Sequence, residues 1–355
     1  MKFGPDHYVP VLKIKRGEKA AILAIGKTLH TQITPLLEVV KRKDEKARTV
    51  AAHLATAFKD LAASVRPFSR CFLDARELVS DGPSAAEDVF KHASNEGIIF
   101  TPVTGISRTA DVAAALAHRT HGLALRITRM EMEKGGLAAK IAKFLAVHDL
   151  APNQVDLIID LGATDDMIAD GIRGLAHALL AAVPDHALWH TFTISACAFP
   201  PSMGGVERHS HTQIERAEWL AWKDGLYSRR HHIPRLPTFS DCAIQHPKGV
   251  EDFDPRTMQV SASVRYTLSD EWLLVKGEST RRTSPGLQFP ALATKIAYGH
   301  LRAHFAGQTH CAGCFGIKAS ADGAPKLGSL EVWRRLGTIH HMAVVVDQLR
   351  TLPWP

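Results

Sequence analysis

The sequence is poor in cysteine and has no long apolar run. Five cysteines in 355 residues are too few for a disulfide scaffold, and a chain of this length can bury a large core without one. No segment reaches the run of about 18 apolar residues that a membrane-spanning helix requires. Residues 1–17 also lack the unbroken apolar core and the small-residue cleavage site of a signal peptide. We therefore expect a cytoplasmic protein with no membrane partner.

Neither sign of charge is in strong excess. The sequence has 43 Lys and Arg against 36 Asp and Glu, a net charge of +7. This mild excess is compatible with nucleic acid, phosphate or nucleotide partners, and equally with an ordinary solvated surface. The basic runs are short, so none of them predicts a basic tail. Histidine occurs 20 times, and an isolated histidine therefore carries little information.

Several catalytic and cofactor motifs are absent. The sequence contains no GxSxG, no Walker loop and no HExxH, and residues 13–17 after the first predicted strand contain no GxGxxG. These absences leave no sign of a nucleophile elbow, a P-loop, a zincin or a dinucleotide site. One CxxC is present, Cys311 to Cys314, directly after His310. A second CxxC would indicate zinc, and a redox CxxC would open a helix in a βαβ unit. We interpret the pair as small-residue packing and predict no metal site, with metal or redox use as the alternative.

Short apolar runs alternate with longer helical stretches through the first 245 residues. Runs of this length, bounded by Gly, Pro or Asp, are typical of buried parallel strands. The eight candidates are residues 9–15, 33–40, 71–77, 98–106, 123–128, 156–162, 191–198 and 238–245. Seven or eight strand–helix units in a row, within about 250 residues, predict an α/β fold of the (β/α)8 TIM-like barrel type.

The pattern changes after residue 250. Residues 261–267 and 272–277 indicate an antiparallel hairpin, and helices are predicted near 291–303 and 330–349. We divide the chain into a barrel at 1–250 and a C-terminal hairpin and helical extension at 251–355, integrated with the barrel. One barrel strand could come from this extension in place of 238–245.

Charged residues inside apolar strands select a candidate site. Such groups are expensive to bury unless they are paired or used, and a (β/α)8 barrel carries its reaction centre at the C-terminal ends of its strands. The acids selected for catalysis are Glu38, Asp74, Asp160 and Asp241, and the cations selected for substrate binding are Lys13, Lys15, Arg16 and Arg126. We expect those of strands two, three, five and six to form one polar cluster at the mouth. A structural salt-bridge network filling the barrel is the alternative.

Five segments carry a resemblance to a known family. They are YVPVLKIKRGE at 8–18, ITPLLEV at 33–39, PTFSDCAIQHP at 237–247, SVRYT at 263–267 and WRRLGTIHHM at 333–342. On these segments the chain resembles the beta protein family of bacterial and phage-associated proteins, over nearly its whole length. The resemblance implies no particular reaction, and no catalytic residue is carried over. It adds Arg265, Lys276 and His341 to the substrate-binding candidates and Arg334 to the residues worth testing.

The chain departs from the family pattern at two places. Cys242 stands where the family usually has an aromatic residue, and the CAGC at 311–314 is not a family feature. The association with phages implies a role in defence or counter-defence. We also expect Arg265 or Lys276 to reach the barrel mouth, with a hairpin that caps the bottom of the barrel as the alternative.

Two functions are consistent with these residues. The first is a barrel that binds, and could hydrolyse, a phosphate-containing small molecule or nucleotide, with Mg²⁺ as a possible cofactor on the acids. The second is a non-catalytic protein that recognises nucleic acid or a protein partner. Whether the protein is an enzyme is left open by the sequence.

Overall fold

The computed structural model describes residues 2–42, 49–248 and 260–354. Its central element is a closed barrel of eight parallel strands, which confirms the predicted fold class. With strands numbered in chain order, the barrel consists of Tyr8–Lys13 (β1), Leu36–Glu38 (β2), Cys71–Asp74 (β3), Phe100–Thr104 (β4), Leu123–Thr128 (β5), Val155–Ala163 (β6), Thr191–Cys197 (β7) and Thr238–Asp241 (β9). The eighth strand is therefore the 238–245 candidate. It ends at Asp241 because Ala243 adopts a positive φ of 53°, which a continuing strand does not tolerate.

Helices cover the outside of the barrel, as strands buried on both faces require. The helices up to the end of the barrel are Arg16–Ala24 (α1), Val50–Phe58 (α2), Leu61–Val65 (α3), Ala85–Asn95 (α4), Thr109–Ala117 (α5), Arg129–Glu133 (α6), Leu137–Val147 (α7), Ala169–Ala182 (α8) and Ala217–Leu220 (α9). Residues 44–65 are rich in Ala, Leu and Lys, which predicts a helix, and the first part of this range lies outside the described residues. Within the described ranges, no helix is both long enough and apolar enough to cross a membrane.

A small antiparallel sheet accompanies the barrel. It contains His211–Glu215 (β8), Ser261–Thr267 (β10) and Glu271–Ser279 (β11), in the order β10-β11-β8. The predicted hairpin is thus confirmed. The third strand was not predicted, because the polar composition of residues 199–212 is typical of a loop. Only Ile214 is apolar in β8, and the exposure of its residues alternates as at a sheet edge.

Three C-terminal helices complete the fold: Pro285–Ala297 (α10), Ala312–Ala321 (α11) and Leu330–Thr351 (α12). The helix predicted near 291–303 begins six residues earlier, because Pro285 occupies its first turn, where the missing N–H is not needed. The long last helix is confirmed. A Cβ at Gly337 would lie 2.8 Å from the carbonyl oxygen of Arg265, so this glycine lets α12 lie directly on β10.

The small sheet lies on the mouth side of the barrel. Arg265 of β10 donates to the carbonyl oxygen of Ile244, just after β9, over 2.7 Å. Lys276 of β11 donates to the carbonyls of Met203 and Val206, in the loop after β7. Both contacts are with segments that follow strand C-termini. The alternative that the hairpin caps the bottom of the barrel is therefore wrong.

Candidate functional site

The barrel register brings charged side chains to one end of its interior. Residues paired across neighbouring strands of a barrel point to the same side. Lys13 pairs with Glu38, and Glu38 pairs with Asp74, so the last residues of β1, β2 and β3 form one inward row. Asp160 pairs with Thr128, two residues beyond Arg126 on the same face of β5. The side chains expected to converge therefore do so through simple alternation along each strand.

Arg126 is the centre of this arrangement. Its Nη1 donates to Glu38 Oε1 over 2.8 Å and to Asp74 Oδ2 over 2.9 Å. Its Nε donates to Asp160 Oδ2 over 2.9 Å. The residue is 1% exposed. One guanidinium thus ties together carboxylates from three strands, as the placement of the four residues at strand ends led us to expect.

Four further residues complete what we call the mouth cluster. Arg76 contacts Glu38 Oε1 over 2.8 Å and Asp160 Oδ2 over 3.0 Å. Arg108 contacts Asp74 Oδ1 over 2.7 Å. The mouth cluster comprises Lys13, Glu38, Asp74, Arg76, Glu77, Arg108, Arg126 and Asp160. Arg108 was not among the predicted site residues. Its position between β4 and α5 places it in a loop on the mouth side, and this position was the only indication that it could belong to the site.

The charges of the mouth cluster compensate one another, with four acids and four cations. Burial alone would raise the pKa of Asp74, yet the guanidiniums of Arg108, Arg126 and Arg76 hold this pKa well below its usual range. Burial likewise opposes ionisation of Asp160, and Arg126 and Arg76 again lower its pKa. Both groups are therefore ionised at neutral pH. A carboxylate fixed in this state has no proton to donate and is a weak base.

The mouth cluster is layered. The side chains of Glu38, Asp74 and Asp160 are 5% exposed or less. The outer members are more accessible, with side-chain exposures of 8% for Lys13, 12% for Arg108, 18% for Glu77 and 21% for Arg76. The deep layer is thus anionic, and the layer next to solvent has three cations and one acid.

The carboxylate oxygens already accept hydrogen bonds. Asp74 Oδ1 accepts from the Arg76 backbone N–H and from Arg108, and Oδ2 accepts from Arg126. Asp160 Oδ1 accepts from the Gly162 N–H, and Oδ2 accepts from two arginines. A Mg²⁺ ion held by these carboxylates would have to displace guanidinium groups. The geometry therefore favours an anion on the cations over a metal on the acids.

Asp241 and His341 lie apart from the mouth cluster, so the structure does not bring these two candidates to the mouth. Asp241 pairs with Pro10, and the adjacent pair is Val9 with Ser240. Because Val9 shares the inward face of β1 with Lys13, Asp241 points out of the barrel. It contacts His341 of α12 there, and both residues are at most 1% exposed. Neither can contact a substrate at the mouth from this position.

These two residues belong to a second polar group, the junction cluster, between the barrel, α9, β10 and α12. Thr267 Oγ1 lies 3.0 Å from His341 Nδ1, and the Tyr8 hydroxyl donates to Asp241. The junction cluster comprises Tyr8, Arg216, Glu218, Asp241, Thr267 and His341. Burial and the charge of Asp241 raise the pKa of Glu218 to about 8.

The remaining candidates lie around the mouth. Lys15 is half-buried between β1 and α1. The Arg16 side chain is 83% exposed and pairs with Glu331 of α12 over 3.2 Å. Arg265 lies over the ring of Phe199, which follows β7, at 5.0 Å. Arg265 and Lys276 hold backbone carbonyls on the mouth side, so their contacts are with the protein's own loops.

The opposite end of the barrel has a cavity of about 380 Å³. It is lined by Ser69, Arg70, Ile99, His121, Gly122, Gln154 and His190, which precede or begin strands. Arg70 is held there in a two-bond ion pair with Asp156, at 2.6 and 2.8 Å. This end of a (β/α)8 barrel ordinarily contributes stability and not chemistry. We nevertheless treat the cavity as a rival location for a ligand.

The comparison with known families extends over the elements just described. The model of the family described as Beta protein matches residues 8–347. The matched range contains the whole barrel, the small sheet, α10, α11 and most of α12. No curated protein matches the chain.

Proposed function

The chain belongs to the Beta protein family, and we propose that the mouth of its barrel binds an anionic, phosphate-bearing small molecule such as a nucleotide. The observation that supports this proposal is the layering of the mouth cluster. Lys13, Arg76 and Arg108 form the outer layer together with one acid, Glu77, and the deep carboxylates lie behind them. An incoming anion therefore meets cations first.

The deep carboxylates prepare these cations for binding. A guanidinium is planar, always charged and suited to two parallel hydrogen bonds with a phosphate group. Arg76 is held by Glu38 and Asp160, and Arg108 is held by Asp74. Ordering them in the free protein reduces the entropy lost when a ligand binds. In this proposal Glu38, Asp74 and Asp160 are positioning residues.

Binding, and not hydrolysis, is the step that the mouth cluster supports. The arginines hold Asp74 and Asp160 ionised, which argues against their use as a general acid. Any Mg²⁺ would arrive on the phosphates of a nucleotide, because the carboxylate oxygens are engaged. Hydrolysis would then need a base from outside this set of acids.

Isothermal titration calorimetry with ATP and with pyrophosphate, each with and without Mg²⁺, tests the proposal. Arg76→Gln and Arg108→Gln should each weaken binding at least tenfold, which is about 1.4 kcal/mol. The matched control is Arg66→Gln, an exposed arginine in the turn before β3, at the other end of the barrel. Absence of binding to the folded wild type, or wild-type affinity in both mouth variants, would refute the proposal.

Two further variants and one titration distinguish binding at the mouth from binding in the opposite-end cavity and from binding of nucleic acid. Weaker binding in His121→Gln or His190→Gln, with Arg76→Gln unaffected, would move the site to the opposite-end cavity and contradict the proposal. A DNA or RNA oligonucleotide that binds with steep salt dependence, in the absence of any small-molecule binding, would favour the nucleic-acid alternative.

A further inference from the structure

A group of sulfur and imidazole ligands lies in the C-terminal layer, apart from the mouth cluster. Cys311 is the residue before α11, Cys314 lies in its first turn, and His340 comes from the middle of α12. The CxxC thus opens a helix, although this helix is not part of a βαβ unit. The packing of α11 on α12 adds a histidine that is 26 residues away in sequence from Cys314.

The distances among these atoms match a tetrahedral metal site. His340 Nδ1 lies 3.2 Å from Cys314 Sγ and 3.7 Å from Cys311 Sγ. Around a tetrahedral zinc ion, with Zn–S near 2.3 Å and Zn–N near 2.0–2.1 Å, a sulfur and a nitrogen are about 3.6 Å apart. One ion could therefore contact all three atoms with small side-chain adjustments.

Neighbouring groups already hold the ligands in the required chemical form. His340 Nε2 lies 2.8 Å from the carbonyl oxygen of Thr267. A carbonyl can only accept, so Nε2 carries the proton and Nδ1 offers its lone pair toward the sulfurs. This carbonyl–histidine contact is the usual outer contact of a metal-bound histidine.

Both sulfurs accept hydrogen bonds from their surroundings. The Cys314 N–H donates to Cys311 Sγ over 3.4 Å. The Tyr266 hydroxyl lies 3.3 Å from Cys314 Sγ and itself accepts from the Ala306 N–H. Because a thiol is only a weak donor, we assign the hydroxyl as the donor to the sulfur. Acceptor sulfurs are what thiolate ligands require.

His310 is the candidate for a fourth ligand. Its ligand nitrogen, Cys311 Sγ and the ligand nitrogen of His340 all lie within 4.8 Å of one another. His310 Nε2 is buried without a hydrogen-bond partner among the described residues. The Nδ1 atom faces Asp347 Oδ2 at 3.8 Å, which would orient the ring as a carboxylate does in many zinc sites.

We propose that His310, Cys311, Cys314 and His340 bind one divalent ion of the zinc class. Two thiolates and two imidazoles are the ligand set that selects zinc over Mg²⁺ or Ca²⁺. Four protein ligands leave no open position, so the ion has a structural role. It would fasten α11 to α12 and both to β10 through Thr267 and Tyr266.

The test uses the full chain, purified without a histidine tag under reducing conditions. Metal analysis should find about one zinc per chain in the wild type, as a closed structural site predicts. Replacement of zinc by cobalt(II) should give the strong visible bands of tetrahedral cobalt, with a thiolate-to-cobalt charge-transfer band in the near ultraviolet. The chelated protein should melt at a lower temperature than the loaded protein.

Variants assign the ligands. Cys311→Ser, Cys314→Ser and His340→Gln should abolish the charge-transfer band or weaken cobalt binding at least tenfold, and His310→Gln should weaken it by a similar factor. The matched control is His300→Gln, an exposed histidine of the same layer, which should keep full metal content. Circular dichroism verifies that each variant is folded.

Three results would overturn the proposal. One is a folded wild type that holds no zinc and takes up no cobalt(II). Another is a cobalt spectrum without thiolate bands. The third is a Cys311–Cys314 disulfide, seen by mass spectrometry as two missing hydrogens, that persists in the reducing buffer and excludes metal.

Discussion

His341 Nε2 lies 2.9 Å from Asp241 Oδ2, and this contact joins the last long helix to the last barrel strand. Burial lowers the pKa of His341, so its ring is neutral at pH 7. His341 Nε2 then donates to Asp241, and His341 Nδ1 accepts from Thr267. The pKa of Asp241, which burial alone would raise, is held low by His341 and Tyr8. The junction cluster thus keeps Asp241 as a buried acceptor for donors from two parts of the chain.

Replacing Asp241 by Asn should lower the free energy of unfolding and leave ligand affinity at the mouth unchanged. Asp241 accepts from Tyr8, His341 and the Ala243 N–H, and an amide presents a donor to at least one of them. A buried donor without an acceptor costs about 1–3 kcal/mol. Urea unfolding measures the loss. Asp170→Asn on the exposed side of α8 is the control and should have little effect. A selective loss of ATP or pyrophosphate binding in folded Asp241→Asn would contradict this prediction and show that Asp241 contributes to the binding site.

Replacing Arg126 by Met should destabilise the protein far more than replacing a surface arginine. The change leaves the carboxylates of Glu38, Asp74 and Asp160 near one another without their shared partner. Breaking a buried ion pair from one side costs about 3–5 kcal/mol. Arg173→Met, at a partly exposed ion pair on α8, is the matched control and should cost less than about 1 kcal/mol.

The same charges determine how the stability of the Arg126→Met variant depends on pH. In the wild type the arginines lower the pKa of Asp74 and Asp160, so their stabilisation is present above the unfolded pKa and is lost as pH falls through the folded pKa. Without Arg126 these acids are easier to protonate. The unfolded chains carry the same acids, so only the folded-state pKa values differ, and the difference in unfolding free energy between variant and wild type should shrink as pH is lowered through the acid range. A difference that stays constant with pH would show that lost packing, and not charge, causes the instability.

The barrel and the acids of the mouth were accessible to sequence reasoning because both follow local rules. Apolar runs of strand length mark β1 to β7 and β9, and side-chain alternation places Glu38, Asp74 and Asp160 on the inner face. Asp241 satisfied the same rule at sequence level, yet it points outward. Side chains alternate between the two faces of β9, and Asp241 lies on the outward face. In a strand of only four residues, the sequence does not show which face is inward, and the pairing with β1 is needed to decide it.

Contacts between segments that are distant in the sequence could not be predicted from it. Arg108 joins the mouth cluster from a loop, where no periodicity applies. His340 reaches the CxxC only because α11 packs on α12, so a search for a second CxxC nearby could not find it. The third strand of the small sheet, β8, has one apolar residue and is defined by pairing with β11. In each case the partner, and not the local sequence, determines the structure.

Replacing Glu218 by Gln should stabilise the protein at alkaline pH. Burial and Asp241 raise the pKa of Glu218 to about 8 in the folded state, against about 4.3 in an unfolded chain. The folded state therefore binds the extra proton between these values, and wild-type stability falls as pH rises from about 4.3 to 8. A glutamine is neutral and nearly isosteric, so it removes this loss. Denaturant unfolding at pH 5, 7 and 9 should show a variant whose advantage grows with pH. An advantage that does not grow between pH 5 and pH 9 would show that folding does not raise the pKa of Glu218.

Replacing Gly313 by Ala should destabilise the C-terminal layer, because α11 and α12 are in contact at this residue. A Cβ there would lie 2.3 Å from the carbonyl oxygen of Leu336 and 3.0 Å from the backbone nitrogen of His340. These neighbours are backbone atoms, so one helix must move, and overpacking of this kind costs about 1–3 kcal/mol. The matched control is Gly174→Ala in the exposed middle of α8, where a Cβ would meet nothing within 4 Å. That substitution should instead stabilise by up to about 1 kcal/mol, since alanine is the better helix former. Urea unfolding of both variants measures the change in unfolding free energy, which should be a loss for Gly313→Ala and a gain for Gly174→Ala. Because the same movement displaces His340 from Cys311 and Cys314, Gly313→Ala should also bind cobalt(II) more weakly than Gly174→Ala. Equal stability of the two variants would show that the helices do not pack this closely in solution.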